Sequence, residues 1–136
     1  MTDFLDTSFI ISYVVEDDVN HEKVRNFKIG KGTVTPLVYA ELISFFSRVA
    51  NDPKVLAKAS LSIVRARIVD VSLAELISLM ERFSSLIKLR TLDTLHLLSS
   101  YLLNCDRFIT LDKEISKKAN LISKLLNVEV VNPLEI

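Results

Sequence analysis

Four acidic residues stand at positions where their side chains could together hold a divalent cation. Asp6 follows a short apolar segment, and Asp112 follows the segment Arg107–Thr110 after one intervening residue. Glu41 and Asp93 lie in segments with a helical pattern of apolar residues. Mg²⁺ and Mn²⁺ prefer carboxylate and water oxygens. Such a cation can activate water and neutralise the negative charge that develops on a phosphate.

Glu41 has an unusual position for a charged residue. In a helix that begins at Pro36, its neighbours on the same face are Leu37, Val38 and Phe45. A charged side chain in an apolar stripe is costly unless it has a partner. A metal ion, a lysine or an arginine would each be such a partner.

Asp93 lies in the first turn of a helix predicted to begin at Thr91. Leu89 and Leu97 are four residues away on either side, and His96 is three residues further on. This spacing directs Asp93 partly towards packed surface. We expect His96, in a leucine-rich helix, to be a structural, hydrogen-bonded side chain, because metal-assisted hydrolysis requires no imidazole.

Each acid also has a purely structural explanation. Asp6 and Asp112 could cap the helices that follow them. Asp93 could interact with the positive end of a helix dipole, and Glu41 could belong to a buried ion pair. The joint placement of the acids, two after strands and two on inward helical faces, is what favours a metal site.

The elements that must position these acids alternate between strand and helix. Periodicity and capping signals predict strands at residues 1–5, 33–35, 67–71, 107–110 and 128–131, with a turn at 30–32. Helices are predicted at residues 8–13, 21–27, 36–50, 53–65, 73–86, 91–103 and 112–125. This alternation predicts an α/β fold, a three-layer α/β/α sandwich with a short, mostly parallel central sheet. Ligands of such sheets bind beyond the carboxyl ends of the strands, which is where Asp6 and Asp112 fall.

Composition bounds the function without assigning it. The 136 residues predict a single domain, 1–136, and no apolar run approaches the roughly 20 residues that span a bilayer. Lys+Arg and Asp+Glu are both 17, so overall charge gives no argument for nucleic-acid binding. The single cysteine, Cys105, excludes an internal disulfide and is expected to be a small, at least half-buried side chain. A reducing, cytoplasmic compartment is therefore expected, with no membrane association.

Two further groups of residues have open interpretations. Arg48 and Arg90 could contact the phosphates of a substrate or be solvated or ion-paired arginines. Apolar residues along two successive helices either pack in the core or form a dimer or partner surface. These residues are Phe45, Phe46, Val49, Leu56, Leu61 and Ile63.

The motifs that carry the acids resemble those of PIN domains. Phe4-Leu-Asp-Thr-Ser8 is similar to the first PIN motif, and Tyr39-Ala-Glu-Leu42 to the second. Leu92-Asp-Thr-Leu-His-Leu97 and Cys105-Asp-Arg-Phe-Ile-Thr-Leu-Asp112 resemble the third and fourth. Order and spacing agree along essentially the whole chain. The resemblance is narrower to the VapC toxins of type II toxin–antitoxin pairs, which are single PIN domains of about this length.

The resemblance implies a function and a set of site residues. It makes Asp6, Glu41, Asp93 and Asp112 the catalytic, metal-binding acids for Mg²⁺ or Mn²⁺, with Ser8 and Thr110 in support. It implies cleavage of RNA that leaves a 3′-hydroxyl and a 5′-phosphate, a homodimer, and a small antitoxin protein as partner. The alternatives are a PIN nuclease of RNA processing or maturation, and a PIN-like binding module without catalysis.

Overall fold

A computed structural model describes the whole chain, Met1–Ile136. Its strands are β1 (Thr2–Leu5), β2 (Lys31–Val34), β3 (Arg67–Ile68), β4 (Arg107–Ile109) and β5 (Glu129–Val131). The helices are α1 (Thr7–Val14), α2 (His21–Val24), α3 (Pro36–Ser47), α4 (Pro53–Ile63), α5 (Leu73–Ile87), α6 (Thr91–Leu102), α7 (Lys113–Ser116) and α8 (Ala119–Leu126). A short 3₁₀ helix, Pro133–Glu135, follows β5. No helix combines the length and apolar character that crossing a membrane requires.

The five strands form one sheet in the order β3-β2-β1-β4-β5, and every pair is parallel. The predicted α/β fold with a parallel central sheet is thus confirmed. From β1 the chain builds the sheet outwards through β2 to β3, and then returns to the other side of β1 to add β4 and β5. Because such crossovers are right-handed, this reversal puts α1–α4 on one face and α5–α8 on the other. The position between β1 and β4, where the direction of strand addition reverses, is called the switch point, and parallel α/β sheets bind their ligands there.

Aromatic and branched residues hold the two central strands together. Phe4 and Phe108 are register partners, both fully buried, and their rings stack with centroids 5.3 Å apart. Leu5 and Ile109 pair at the next position and are also fully buried. A strand that is covered by helices on both faces is expected to be apolar in this continuous way. The packing fixes β1 against β4, and so fixes the residues that follow each strand.

The turn predicted at residues 30–32 is wrong. Lys31 and Gly32 belong to β2, where Gly32 pairs with Asp3 of β1. Close packing requires a glycine at position 30 and leaves little room for a larger residue at position 32. A Cβ added to Gly30 would stand 2.4 Å from the carbonyl oxygen of Met1, and one on Gly32 would be 3.2 Å from Cα of Ala66.

Other predicted boundaries also differ. The helices predicted at residues 21–27 and 36–50 end earlier, at Val24 and Ser47. The helix predicted at residues 112–125 is divided into α7 and α8 by a turn at Lys117 and Lys118. The strand predicted at 67–71 is reduced to Arg67–Ile68, with one further bond from the N–H of Val69 to the carbonyl oxygen of Val34. As an edge strand beside the short β2, β3 has few residues with which to pair.

Candidate metal centre

Asp6 is the most enclosed of the four predicted acids. It directly follows β1 and is only 6% exposed. Its Oδ2 accepts hydrogen bonds from Thr110 Oγ1 at 2.7 Å and Ser8 Oγ at 2.9 Å. Its Oδ1 accepts from the N–H of Thr7 at 3.0 Å, so Asp6 also caps α1. The capping role and the place in the acidic cluster therefore coexist.

Glu41 is reached by donors from two other elements. Its Oε1 accepts from Thr7 Oγ1 at 2.7 Å and lies 2.6 Å from Nε2 of His96. Its expected partner was a metal, a lysine or an arginine; the protein partners are instead a hydroxyl and an imidazole. Oxygens of Asp6 and Glu41 and a ring nitrogen of His96 lie within 4.8 Å of one another. The residue that follows β1 thus meets residues from α3 and α6 at one point.

Asp93 and Asp112 form the outer part of the cluster and share one cation. Arg90 Nε lies 3.6 Å from Asp93 Oδ2, and Arg90 Nη2 lies 3.7 Å from Asp112 Oδ2. Both separations are longer than hydrogen bonds, and the Arg90 side chain is 83% exposed. Asp112 Oδ1 accepts from the N–H of Glu114 at 2.9 Å, which caps α7. Exposed ion pairs of this kind are weak, so Arg90 compensates these charges only in part.

His96 is a buried, hydrogen-bonded residue, as its leucine-rich surroundings predicted. It is 1% exposed, and its ring centroid lies 6.0 Å from that of Phe4. Nε2 faces Glu41, whereas Nδ1 is buried without a hydrogen-bond partner. The acceptor on Glu41 is a carboxylate oxygen, so Nε2 must carry a hydrogen.

Burial and like charges raise the pKa values of two of the acids. The pKa of Asp6 is raised because the carboxyl is buried, although His96, Thr110 and Ser8 act in the opposite direction. Burial also raises the pKa of Asp93, and the negative charges of Asp6 and Asp112 add to the effect. Close carboxylates repel one another in this way when no cation lies between them.

The pKa values of Glu41 and His96 are shifted in the directions expected for a hydrogen-bonded pair. Burial acts to raise the pKa of Glu41, but the hydrogen bonds from His96 and Thr7 outweigh it, so the pKa is lowered. For His96, burial acts to lower the pKa, but the hydrogen bond to Glu41 and the charge of Asp6 outweigh it, so the pKa is raised. Each partner therefore favours the charged form of the other.

The cluster fits a hard divalent cation. Its donors are carboxylate oxygens, which suit Mg²⁺ or Mn²⁺. Asp93 Oδ2 is buried without a hydrogen bond, which is costly for a carboxylate oxygen and would be relieved by a cation. Glu41, Arg90, Leu92 and Asp93 line an open cleft of about 290 Å³. A cation and a phosphate could reach the carboxylates through this cleft.

Of the remaining candidate residues, Ser8, Thr110 and Arg90 lie at the acidic cluster and Arg48 does not. Ser8 and Thr110 contact Asp6 as described, and Thr110 Oγ1 also accepts from the N–H of Asp112 at 3.0 Å. Arg90 lies at the cleft, but Arg48 ends α3 as an exposed residue without an ion pair or a place in the cleft. Nothing in the structure therefore connects Arg48 to the acids.

Two features were not found from the sequence. One is Thr7, whose hydroxyl contacts Glu41; a hydroxyl residue directly after the first acid is its only signal. The other is Asp3, fully buried in β1, which accepts from Arg107 Nε at 2.8 Å and Nη2 at 2.7 Å. The available signal was an acidic residue inside an apolar strand. Its partner, Arg107, is the first residue of β4, the strand that pairs with β1.

A parallel α/β fold with an acidic cluster at the switch point defines the class of protein, and sequence comparison defines the family. Residues 4–121 match the family model of the PIN domain. This chain belongs to the PIN domain family. No significant match was found among curated protein sequences.

Solved structures share this fold at low sequence identity. VapC20 of Mycobacterium tuberculosis, described as a sarcin–ricin loop cleaving toxin, superposes with a TM-score of 0.66 at 19% identity over 85% of this chain and 93% of its own. VapBC2 of Rickettsia felis, solved bound to a DNA fragment from its promoter, gives a TM-score of 0.61 at 20% identity over 97% and 98% of the two chains. At this identity the likeness establishes the fold.

Proposed function

We propose that this protein is a metal-dependent endoribonuclease that hydrolyses RNA phosphodiester bonds. The observation that supports the proposal best is the convergence of Asp6 and Glu41 at the switch point, with Asp93 near enough for the charge of Asp6 to raise its pKa and with Asp93 Oδ2 buried without a hydrogen bond. Membership of the PIN domain family supports nuclease chemistry. Asp6, Asp93 and Asp112 would hold Mg²⁺ or Mn²⁺, with Glu41 directly or through water.

The bound cation would supply charge neutralisation and activation of water for attack on phosphorus. The protein's own residues prepare the site for it. Thr110 and Ser8 hold Asp6 Oδ2, and this fixes the carboxylate between β1 and β4. Arg90 lines the cleft and would contact an RNA phosphate, because a guanidinium can bind two phosphate oxygens. The cleft is open, so a single-stranded segment of RNA could enter it.

We further propose that the enzyme acts in the cytoplasm as the toxin of a VapBC-type pair. Both structural neighbours described above carry VapC or VapBC names, and the VapBC2 structure is that of a toxin–antitoxin complex. Formation of a homodimer and binding of an antitoxin would both need exposed apolar surface on this protein. Exposed apolar side chains occur in this region: Val49, in the turn after α3, is 66% exposed, and Ile63, at the end of α4, is 58% exposed. Phe46 and Leu61, from the same helices, are instead buried in the core.

A cleavage assay tests the nuclease proposal. Purified protein is incubated with a panel of RNAs in Mg²⁺ or Mn²⁺, in EDTA, and after the cation is restored. Cleavage should require the cation and leave 5′-phosphate ends. Absence of cleavage on every RNA, or cleavage that persists in EDTA, would refute the proposal. The first result would favour a binding module.

Asp6→Asn tests the assignment of the acids. The amide can still accept and donate hydrogen bonds with Thr7, Ser8 and Thr110, so the fold should persist. Cleavage should be abolished because the charge is lost. Asp17→Asn is the matched control, since Asp17 is an exposed loop residue and this variant should remain fully active. Full activity of purified Asp6→Asn would remove Asp6 from the site.

A growth assay separates the toxin from an RNA-processing nuclease. Induced expression in bacterial cells should arrest growth, and Asp6→Asn should not. Co-expression with the small protein encoded beside this gene should restore growth. Normal growth with active enzyme would favour RNA processing or maturation.

A further inference from the structure

The two carboxylate oxygens of Glu41 have different surroundings. Oε1 lies 2.7 Å from Thr7 Oγ1 and 2.6 Å from His96 Nε2, whereas Oε2 accepts no hydrogen bond from the protein. The side chain is 31% exposed. Two donors therefore hold one oxygen, and the other oxygen remains available to the cleft.

His96 makes a single polar contact. It is 1% exposed in α6, its ring packs against Phe4, and Nδ1 has no partner. Burying an imidazole with one nitrogen unsatisfied has a cost, which the contact with Glu41 must offset. The strong hydrogen bond from a ring nitrogen to a carboxylate supplies that compensation.

His96 could instead be regarded as a metal ligand, because Nε2 lies within 4.8 Å of oxygens of Asp6 and Glu41. Two arguments oppose this. A ligating Nε2 has no hydrogen, so the hydrogen bond to Glu41 Oε1 would be lost. Mg²⁺ and Mn²⁺ also prefer oxygen ligands, and the carboxylates already supply these.

We propose that His96 is a positioning residue. Together with Thr7 it fixes Glu41 through Oε1, so that Oε2 faces the cation or a water bound to it. This inference depends on the proposed metal centre. The contact joins α3 to α6 across the switch point, and so sets the position of an acid from one face of the sheet by a residue from the other.

The experiment measures Mn²⁺ binding by calorimetry without RNA. His96→Leu removes the donor at similar volume and should weaken Mn²⁺ binding about 10- to 100-fold, as loss of such outer partners does. His96→Gln places an amide N–H near the position of Nε2 and should restore most of the affinity. Thr7→Val, which removes the other donor, should weaken binding as well. In a Glu41→Gln background, His96→Leu should have no further effect.

The control is Leu97→Ala, a core substitution in the same helix, because Leu97 is fully buried and contacts no acid by hydrogen bond. It should lower the melting temperature and leave Mn²⁺ affinity unchanged. Electron spin-echo spectroscopy of bound Mn²⁺ should show no nitrogen coupling; coupling would make His96 a ligand and overturn the inference.

The outcomes separate the inference from the proposed function. If wild-type protein binds Mn²⁺ and His96→Leu binds equally well, the inference is overturned and the metal centre stands. Equal weakening by His96→Gln and His96→Leu would also overturn it, since the donor would then not matter. If His96→Leu does not fold, His96→Gln, Thr7→Val and the Glu41→Gln background still decide. Wild-type protein that binds no Mn²⁺ would overturn the metal centre and the inference with it.

Discussion

The four acids differ in how much of their charge the protein itself compensates. Asp6 Oδ2 and Glu41 Oε1 each accept two side-chain hydrogen bonds, and Asp112 Oδ1 accepts one from the backbone. Asp93 Oδ2 accepts none, and its closest cation is the exposed Arg90. Asp93 is therefore the acid whose charge most requires a bound cation.

Asp93→Asn should consequently stabilise the metal-free protein while it weakens metal binding. The substitution removes the repulsion from Asp6 and Asp112 that raises the pKa of Asp93. The expected gain in EDTA is roughly 0.5–2 kcal/mol in the free energy of unfolding. Added Mn²⁺ should raise the melting temperature of wild type but hardly that of the variant.

Thermal unfolding with EDTA and then with excess Mn²⁺ measures both effects. Asp17→Asn is again the control and should behave as wild type does, because Asp17 is an exposed residue in the turn that follows α1. An Asp93→Asn protein that is less stable in EDTA would contradict the view that this carboxylate is under repulsion.

Cys105 offers a second prediction at the level of one side chain. Burial, with the charges of Asp106 and Asp3, raises the pKa of its thiol to about 11, and the residue is 4% exposed. At pH 8 only about one thiol in a thousand would be ionised. Native protein should therefore react with iodoacetamide at least ~100-fold more slowly than the unfolded chain. Similar rates in native buffer and in guanidinium, followed by mass spectrometry, would show that the thiol is accessible.

At the scale of elements, a buried ion pair links β1 to β4 away from the acidic cluster. Asp3 is fully buried and accepts two hydrogen bonds from Arg107 and one from the N–H of Gly30 at 2.7 Å. Arg107 also lies over the ring of Phe27, 5.3 Å from its centroid. This pair holds in place the two strands whose ends carry Asp6 and Asp112.

Arg107→Met should destabilise the fold by about 3–5 kcal/mol, because it leaves a buried carboxylate without its cation. Adding Asp3→Asn to this variant should recover part of the loss, since the remaining buried group is then neutral. Urea unfolding at pH 7 of the two single variants and the double variant gives these free energies. A double variant less stable than Arg107→Met alone would be incompatible with this explanation.

Element types were predictable from local pattern, whereas boundaries set by tertiary contacts were not. The caps at Thr35-Pro36, Asp52-Pro53 and Ser72 predicted the starts of α3, α4 and α5 correctly. The division between α7 and α8 was not predictable. There Lys118 leaves helical geometry, and its Nζ reaches the carbonyl oxygens of Ile87 and Lys88 at the end of α5.

The same distinction applies to the metal centre. That Asp6 and Asp112 would lie at the carboxyl edge of the sheet was predictable, because each follows a strand in the sequence. The contact of Glu41 with His96 was not, since 55 residues separate them and no spacing rule relates helices on opposite faces of a sheet. Asp3 was missed although it stands inside an apolar strand, because its partner Arg107 lies 104 residues away and local pattern does not give the order of strands in the sheet.

At the scale of the whole molecule, zero net charge must be reconciled with the proposed RNA substrate, which is an anion. The positive charges near the acids are few. Lys88 and Arg90 line the second cleft that Asp93 shares with Glu114, and Lys113 follows Asp112 as the first residue of α7. The ammonium group of Lys118 already donates hydrogen bonds to the carbonyl oxygens of Ile87 and Lys88 at the end of α5. RNA binding should therefore depend on a small local set of cations rather than on a broad basic surface.

The salt dependence of RNA binding tests this view. For single strands, each phosphate neutralised contributes a slope of about −0.7 to the plot of log affinity against log salt. Contacts by Lys88, Arg90 and Lys113 predict a slope of roughly −2, measured by fluorescence anisotropy on the cleavage-deficient Asp6→Asn protein. Lys88→Gln should reduce the slope by about 0.7, and Lys31→Gln, which is exposed at the amino end of β2 and so at the edge of the sheet opposite the acids, should not change it. A slope steeper than about −4, or an equal effect of Lys31→Gln, would place the RNA on another face of the protein.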